Sequence, residues 1–243
     1  MFTDRPKVTA APLVPGVHAF IIDNALAEPE TLLQFAQRTR GAFRASPEGI
    51  APGLELRMAD SFSTKFEEFF RQHLRRFFDA RRTLECVSRL ALHTRPPHTM
   101  PPSQWLPQRI GTTLHREQTV VVAQLYLSTN ETLGGMSFFF PKRTVRETFN
   151  VINDSYALDS AAFEAKHRLR ADDARESNDL FHLAQTIPAK FNRMVIFDGA
   201  MFHSPQITSE TPLVSDPHNG RLTFDAYLTC KRHSDGTADR RRT

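Results

Sequence analysis

His115 and Glu117, together with His203 much further along the chain, are residue types that hold metal ions. In Leu114-His115-Arg116-Glu117-Gln118 the imidazole and the carboxylate stand two positions apart at the start of a strand-like run. Side chains two apart in an extended segment point the same way, so this pair can approach one metal from one side. Phe202-His203-Ser204 supplies a third ligand just after the apolar run Met194-Val195-Ile196-Phe197, in a turn-like context with Gly199 and Pro205. Two histidines and one carboxylate on one face of a metal leave its remaining positions open, an arrangement suited to non-haem iron(II) and O2 chemistry. Asp198 is an alternative carboxylate, but it has no histidine two positions away.

Beyond His203, Gly220-Arg221-Leu222-Thr223-Phe224 opens the last strand-like run. Arg221 and Thr223 share a face, so a guanidinium fork and a hydroxyl can converge on one carboxylate. A dicarboxylate that chelates a metal at one end needs such an anchor at the other. Gln124 and Tyr126 form a polar pair on one face of an otherwise apolar strand, and Arg193 opens another strand. Tyr126 is a candidate for the cosubstrate, Gln124 and Arg193 for a substrate. An arginine at a strand start is as often ion-paired, and His73, His167 and His182 read as surface or structural residues.

These residues need strands to carry them. Glu85 to His93, Thr119 to Ser128, Gly135 to Phe140, Phe191 to Asp198 and Arg221 to Cys230 read as strands, and His18 to Ile22 as a short one. Pro29 opens a helix through Ala36. Phe62, Phe66, Phe69, Phe70, Leu74, Phe77 and Phe78 recur at steps of three and four, which predicts a helix from about Ser63 to Arg82 with an aromatic core face. Thr94 to Thr113 holds five prolines and reads as a long loop leading to His115. Tyr156 to His182 reads as part of a helical insertion at about 150–185. Residues 1–16 form an irregular lead-in, 17–230 a single domain, and 231–243 a basic tail expected to be disordered. Helices first and strands after argue for an antiparallel β core buttressed by N-terminal helices, an α+β arrangement.

Composition sets few further bounds. Of 243 residues, 40% are hydrophobic and 24% charged, near globular averages, and no apolar run reaches the length of a membrane span. No secretory signal pattern opens the chain, so the expectation is cytoplasmic. Cys86 and Cys230 lie inside apolar runs and read as reduced, buried thiols. The formal charge of +4 owes part of its excess to Arg240-Arg241-Arg242, and no interleaved basic and aromatic run marks a nucleic-acid surface.

In its His-x-Glu, distal His and Arg-x-Thr pattern the chain resembles the iron(II)/2-oxoglutarate-dependent dioxygenases. Within them it is similar to a group of uncharacterised bacterial proteins through Pro107-Gln108, Leu125-Tyr126-Leu127, Gly134-Gly135-Met136-Ser137-Phe138, Phe191 to Ile196 and Phe202-His203-Ser204. The resemblance implies a double-stranded β-helix (jelly-roll, cupin-like) core, with His115, Glu117 and His203 on Fe(II). It also implies Arg221, with help from Thr223, on the distal carboxylate of 2-oxoglutarate, and O2 as the oxidant; Tyr126, from its strand face, could reach the cosubstrate or the substrate. Two departures stand out. Glu117 replaces the commoner aspartate, and Arg109 to Thr113 separates Pro107-Gln108 from His115 where a Pro-His junction is more usual.

The expected activity is hydroxylation of an unactivated C–H bond in an amino acid, a peptide or a small natural-product intermediate, by a monomer or homodimer. One alternative is a non-catalytic protein of the same fold that binds a metal or a small acid. The least favoured is a nucleic-acid-directed demethylase.

Overall fold

Residues 221–231 alternate between polar and apolar side chains, and this alternation organises the protein. In the computed structural model, which describes residues 1–46, 52–111 and 115–233, they form an inner strand with one face on each of two layers. The elements in chain order are β1 (Val8–Val14), β2 (Val17–Asp23), α1 (Pro29–Arg38), β3 (Arg44–Ala45), β4 (Gly53–Arg57), α2 (Asp60–His73), β5 (Arg82–His93), α3 (Pro102–Trp105), β6 (Gln118–Tyr126), β7 (Met136–Pro141), α4 (Val145–Ala157), α5 (Ser160–His167), β8 (Phe181–Ile187), β9 (Arg193–Asp198), β10 (Phe202–Pro205) and β11 (Arg221–Lys231). Eight strands form one antiparallel sheet in the order β1-β2-β9-β6-β11-β5-β4-β3, and three form a second in the order β10-β7-β8.

Leu222, Phe224, Ala226 and Leu228 of β11 and Val121, Ala123 and Leu125 of β6 are fully buried against the helix layer. There they meet Leu32 and Ala36 of α1 and Phe66, Phe69 and Phe70 of α2. At ~25 cal/mol per Å² of apolar surface removed from water, this shared face is a principal favourable term in folding. The opposite face of the large sheet packs on the small one, with Val122, Val195 and Phe197 against Met136, Phe138 and Ile187. The second layer of side chains therefore closes over whatever polar residues β5, β6 and β11 turn inward.

Three expectations need correction. Val8–Val14 is not an irregular lead-in but a strand, and Pro12 is tolerated because β1 lies at the sheet edge and its register shifts between Pro12 and Val14. The aromatic helix ends at His73 rather than near Arg82. Phe77 and Phe78 leave the helical path to pack on the Phe20 ring, with centroids 4.7 and 5.4 Å away. The proline-rich segment holds the short helix α3 and, at Gln108, an isolated bridge to His203.

Helices α4 and α5 lie between β7 and β8, where an insertion was expected. Residues 234–243 of the basic tail lie outside the described residues. Cys86 and Cys230 are both free, and burial raises their thiols to about 12 and about 11. Among the described residues no helix is long and apolar enough to cross a membrane.

Candidate functional site

The strand register assembles a polar row on the inner face of the large sheet. Arg221 pairs with His93, Thr223 with Ala91 and Tyr126, Asp225 with Arg89 and Gln124, and Tyr227 with Val122. Because strand side chains alternate, these residues all point to one side. All but Tyr126 line a cavity of about 110 Å³ between the two sheets. Phe197 of β9 extends this wall, and Gln104, Gln108, Ile110, His203 and Ser204 close the cavity from the other side. That volume is several times the ~30 Å³ that one water takes up in the liquid, enough for a small organic molecule.

Arg221 is the dominant charge of this cavity. It is 3% exposed, and burial lowers its pKa because the charged form is desolvated. Among the described residues its hydrogen bonds run only to neutral acceptors: Nε to the Gly134 carbonyl at 3.2 Å, and one terminal nitrogen to the Gly135 carbonyl and to Gln124 Oε1, each at 3.4 Å. Gly134 has φ +90°, and a Cβ there would run into the Gln206 carbonyl, so glycine is required for this turn to face the arginine. Gln124 donates in turn to Asp225 Oδ1 at 3.1 Å. The amide thus separates the guanidinium from the nearby carboxylate. Tyr126 lies under Arg221, with the guanidinium carbon 5.6 Å from its ring centroid. Its buried hydroxyl has no partner among the described residues, and burial raises its pKa.

His203, on β10, donates from Nδ1 to the Met201 carbonyl at 2.8 Å, which leaves the lone pair on Nε2. Burial pushes its pKa down to about 4, an effect the hydrogen bond opposes. His93 is held well below the usual histidine range by burial, then by the charges of Arg221 and Arg175, and its Nε2 has no partner among the described residues. Arg175 is buried behind the site and joins its parts. It donates to the Trp105 carbonyl, to Ser204 Oγ and, at 2.7 Å, to the Pro205 carbonyl. Burial lowers it to about 10.

Of the residues singled out in the sequence, the structure brings His203, Arg221, Thr223 and Gln124 to one cavity and sets Tyr126 against Arg221, outside the cavity lining. It does not bring the other two expected metal ligands. His115 and Glu117 are exposed in the turn before β6, and the Glu117 side chain is 79% exposed with Oε2 3.6 Å from Lys231 Nζ. Glu117 stands five residues before Val122, which lines the cavity, up to roughly 17 Å along an extended strand. Metal–ligand bonds are ~2.1 Å. Among the described residues no three His, Cys, Asp or Glu side chains gather as a metal site. The donor set therefore fits an acid but not the expected iron triad. Arg193 is committed elsewhere, to Asp23 at 2.6 and 3.0 Å and to the Pro188 carbonyl.

Sequence reasoning missed His93, Gln104, Gln108, Asp225 and Arg175. Asp225 was within reach, since it continues the alternation of Arg221 and Thr223. Arg175 sits in a charged stretch that carries no such signal.

The fold and cavity define a two-sheet antiparallel β protein with an internal cationic pocket. The chain belongs to DUF6445, described as a family of unknown function, whose model matches residues 4–228. No curated protein matches it. Among solved structures, EvdO2 from Micromonospora carbonacea var. aurantiaca is 13% identical, with a TM-score of 0.52 over 95% of this chain and 96% of its own. HygX from Streptomyces hygroscopicus, solved with nickel and 2-oxoglutarate bound, is 11% identical over 89% of this chain and 84% of its own, with a TM-score of 0.49. SnoN, a non-heme alpha ketoglutarate dependent epimerase from nogalamycin biosynthesis, is 14% identical over 91% and 82%, with a TM-score of 0.45. The likeness to EvdO2 is one of fold.

Proposed function

We propose that this protein binds a small dicarboxylate of the 2-oxoglutarate type in the cavity between its sheets, within a double-stranded β-helix core. The observation that carries this reading is the buried Arg221 guanidinium on the cavity wall, bonded only to neutral oxygens. A desolvated cation without a bonded carboxylate is costly, and a ligand carboxylate offsets that cost with charge-assisted hydrogen bonds. Thr223 lies next along the same inward face, and the Tyr126 hydroxyl is an unpaired donor beneath the guanidinium. The cavity size suits a five-carbon diacid.

Calorimetric titration with 2-oxoglutarate tests this. Binding by the wild-type protein, weakened at least tenfold in Arg221→Met with the fold retained by circular dichroism, is the expected result. Equal affinity in the two proteins sinks the reading.

Iron(II)-dependent oxygenation, with 2-oxoglutarate as cosubstrate and an amino acid, peptide or natural-product intermediate as substrate, shares the Arg221 anchor. It is favoured by one further observation, the His203 Nε2 lone pair in the same cavity. It also requires two further ligands gathered at His203; His93 and Asp225 line the same cavity, but among the described residues no three His, Cys, Asp or Glu side chains come together as a metal site. Succinate release coupled to oxidation of an added amino acid or peptide is the measurement that would support it.

A further inference from the structure

A metal held by His203 would first meet the side chains of the segment that faces it. That segment is fixed by backbone pairing: Gln108 N–H donates to the His203 carbonyl at 2.8 Å, and His203 N–H donates to the Gln108 carbonyl at 3.0 Å. Ile110, two positions on, is held in turn by its N–H bond to the Gly199 carbonyl at 2.7 Å. Both Gln108 and Ile110 line the cavity beside His203. They are two apart in an extended segment, the spacing that lets a histidine and a carboxylate serve one metal. Here neither residue is a histidine or a carboxylate. The Gln108 amide nitrogen is bonded to the Ser103 carbonyl at 2.7 Å, and Ile110 has no donor atom.

The other cavity residues of ligating type, His93 and Asp225, belong to the large sheet, where Asp225 accepts from Gln124, and among the described residues they do not gather with His203 as a metal site. The His-x-Glu pair that could make up the deficit is exposed in the turn before β6. We propose that this cavity holds its acid without a resident metal ion: Gln108, paired with His203, and Ile110, two positions on and also on the cavity lining, offer no imidazole or carboxylate to a metal there. The proposal rests on the acid-binding reading of Arg221 and adds what stands at the other end of the ligand. Without a metal to accept lone pairs, that end of the acid accepts from the second Gln108 amide hydrogen and the Ser204 hydroxyl, while His203, whose proton is on Nδ1, offers it no donor.

Two titrations of the full chain test this. In the first, 2-oxoglutarate is titrated in the presence of a chelator and again with saturating nickel(II); the dissociation constants should agree within about twofold. In the second, nickel(II) alone is followed by equilibrium dialysis. Wild type should retain no His203-dependent equivalent, whereas Gln108→His/Ile110→Asp should gain about one equivalent that His203→Ala removes.

The proposal is overturned if wild type binds an equivalent of nickel that His203→Ala abolishes, or if the acid binds only with metal. Absence of acid binding under both conditions would remove the Arg221 reading instead, and the nickel dialysis would still decide this one. Should the double variant fail to fold, the wild-type dialysis and the chelator titration decide it alone.

Discussion

Gln108 and His203 exchange both of their backbone hydrogen bonds, so the residue that faces the buried histidine is an amide rather than a metal-binding side chain. Residues paired directly across antiparallel strands carry neighbouring side chains. The cavity therefore has a cationic end at Arg221 and a neutral end at Gln108, Ser204 and His203, with Gln124 and Thr223 between.

Asp225 is the carboxylate that partly balances Arg221, and it does so through Gln124 rather than by contact. Asp225→Asn removes the charge and keeps an acceptor for the Gln124 amide. Acid affinity should rise by about tenfold, or ~1.4 kcal/mol, read by calorimetry. An unchanged or weaker affinity would mean that the carboxylate does not act on the anion.

Arg175 joins three elements through the Trp105 and Pro205 carbonyls and the Ser204 hydroxyl. Arg175→Met fills similar space but leaves buried acceptors unpaired, at about 1–3 kcal/mol each. Chemical denaturation should show a loss of about 3 kcal/mol and weaker acid binding, since Ser204 lines the cavity. A change below ~0.5 kcal/mol would show that this clamp is not formed.

His93 is buried and neutral beside two arginines, and its folded pKa lies well below the ordinary 6.5. The unfolded chain takes up its proton first as pH falls. Its contribution is therefore complete above ~pH 6.5 and declines below it, by up to ~1.4 kcal/mol per pH unit, until the folded pKa is reached. Denaturation midpoints between pH 7.5 and 5 should follow this slope, and His93→Gln should flatten it. A parallel slope in the variant would assign the acid limb to other groups.

Much of this was legible in residue order. The runs later seen as β5, β6, β9 and β11 announced themselves by apolar content, and Arg221 and Thr223 by their two-residue spacing. What local order could not carry was cross-strand register. His115-x-Glu117 has a spacing suited to metal binding, yet the residues beside His203 are set by a bridge to Gln108 more than ninety positions away in sequence. Pro12 hid β1 because a proline disqualifies a central strand but not an edge one. Arg193 could be read as either a substrate-binding or an ion-paired residue, since nothing in sequence joins it to Asp23.

That last pair has a consequence of its own. Arg193 and Asp23 meet at 2.6 Å, with the Asp23 side chain 38% exposed, so solvent screening limits the contact to about 1 kcal/mol or less. Arg193→Ala should lower stability by that amount and leave acid binding within twofold of wild type. A tenfold loss of affinity would return Arg193 to the site.

The sharpest contrast between the sequence pattern and the three-dimensional site concerns His115 and Glu117. Glu117 touches Lys231 at 3.6 Å in the open, a contact worth less than ~0.5 kcal/mol after screening, and His115 is exposed beside it. His115→Ala and Glu117→Ala should therefore leave both stability and 2-oxoglutarate affinity unchanged within error, while Thr223→Val, inside the cavity, weakens the acid severalfold. Matched thermal denaturation and calorimetry on the three variants make the comparison. If either turn variant loses affinity as Thr223→Val does, His115 and Glu117 belong to the acid site after all.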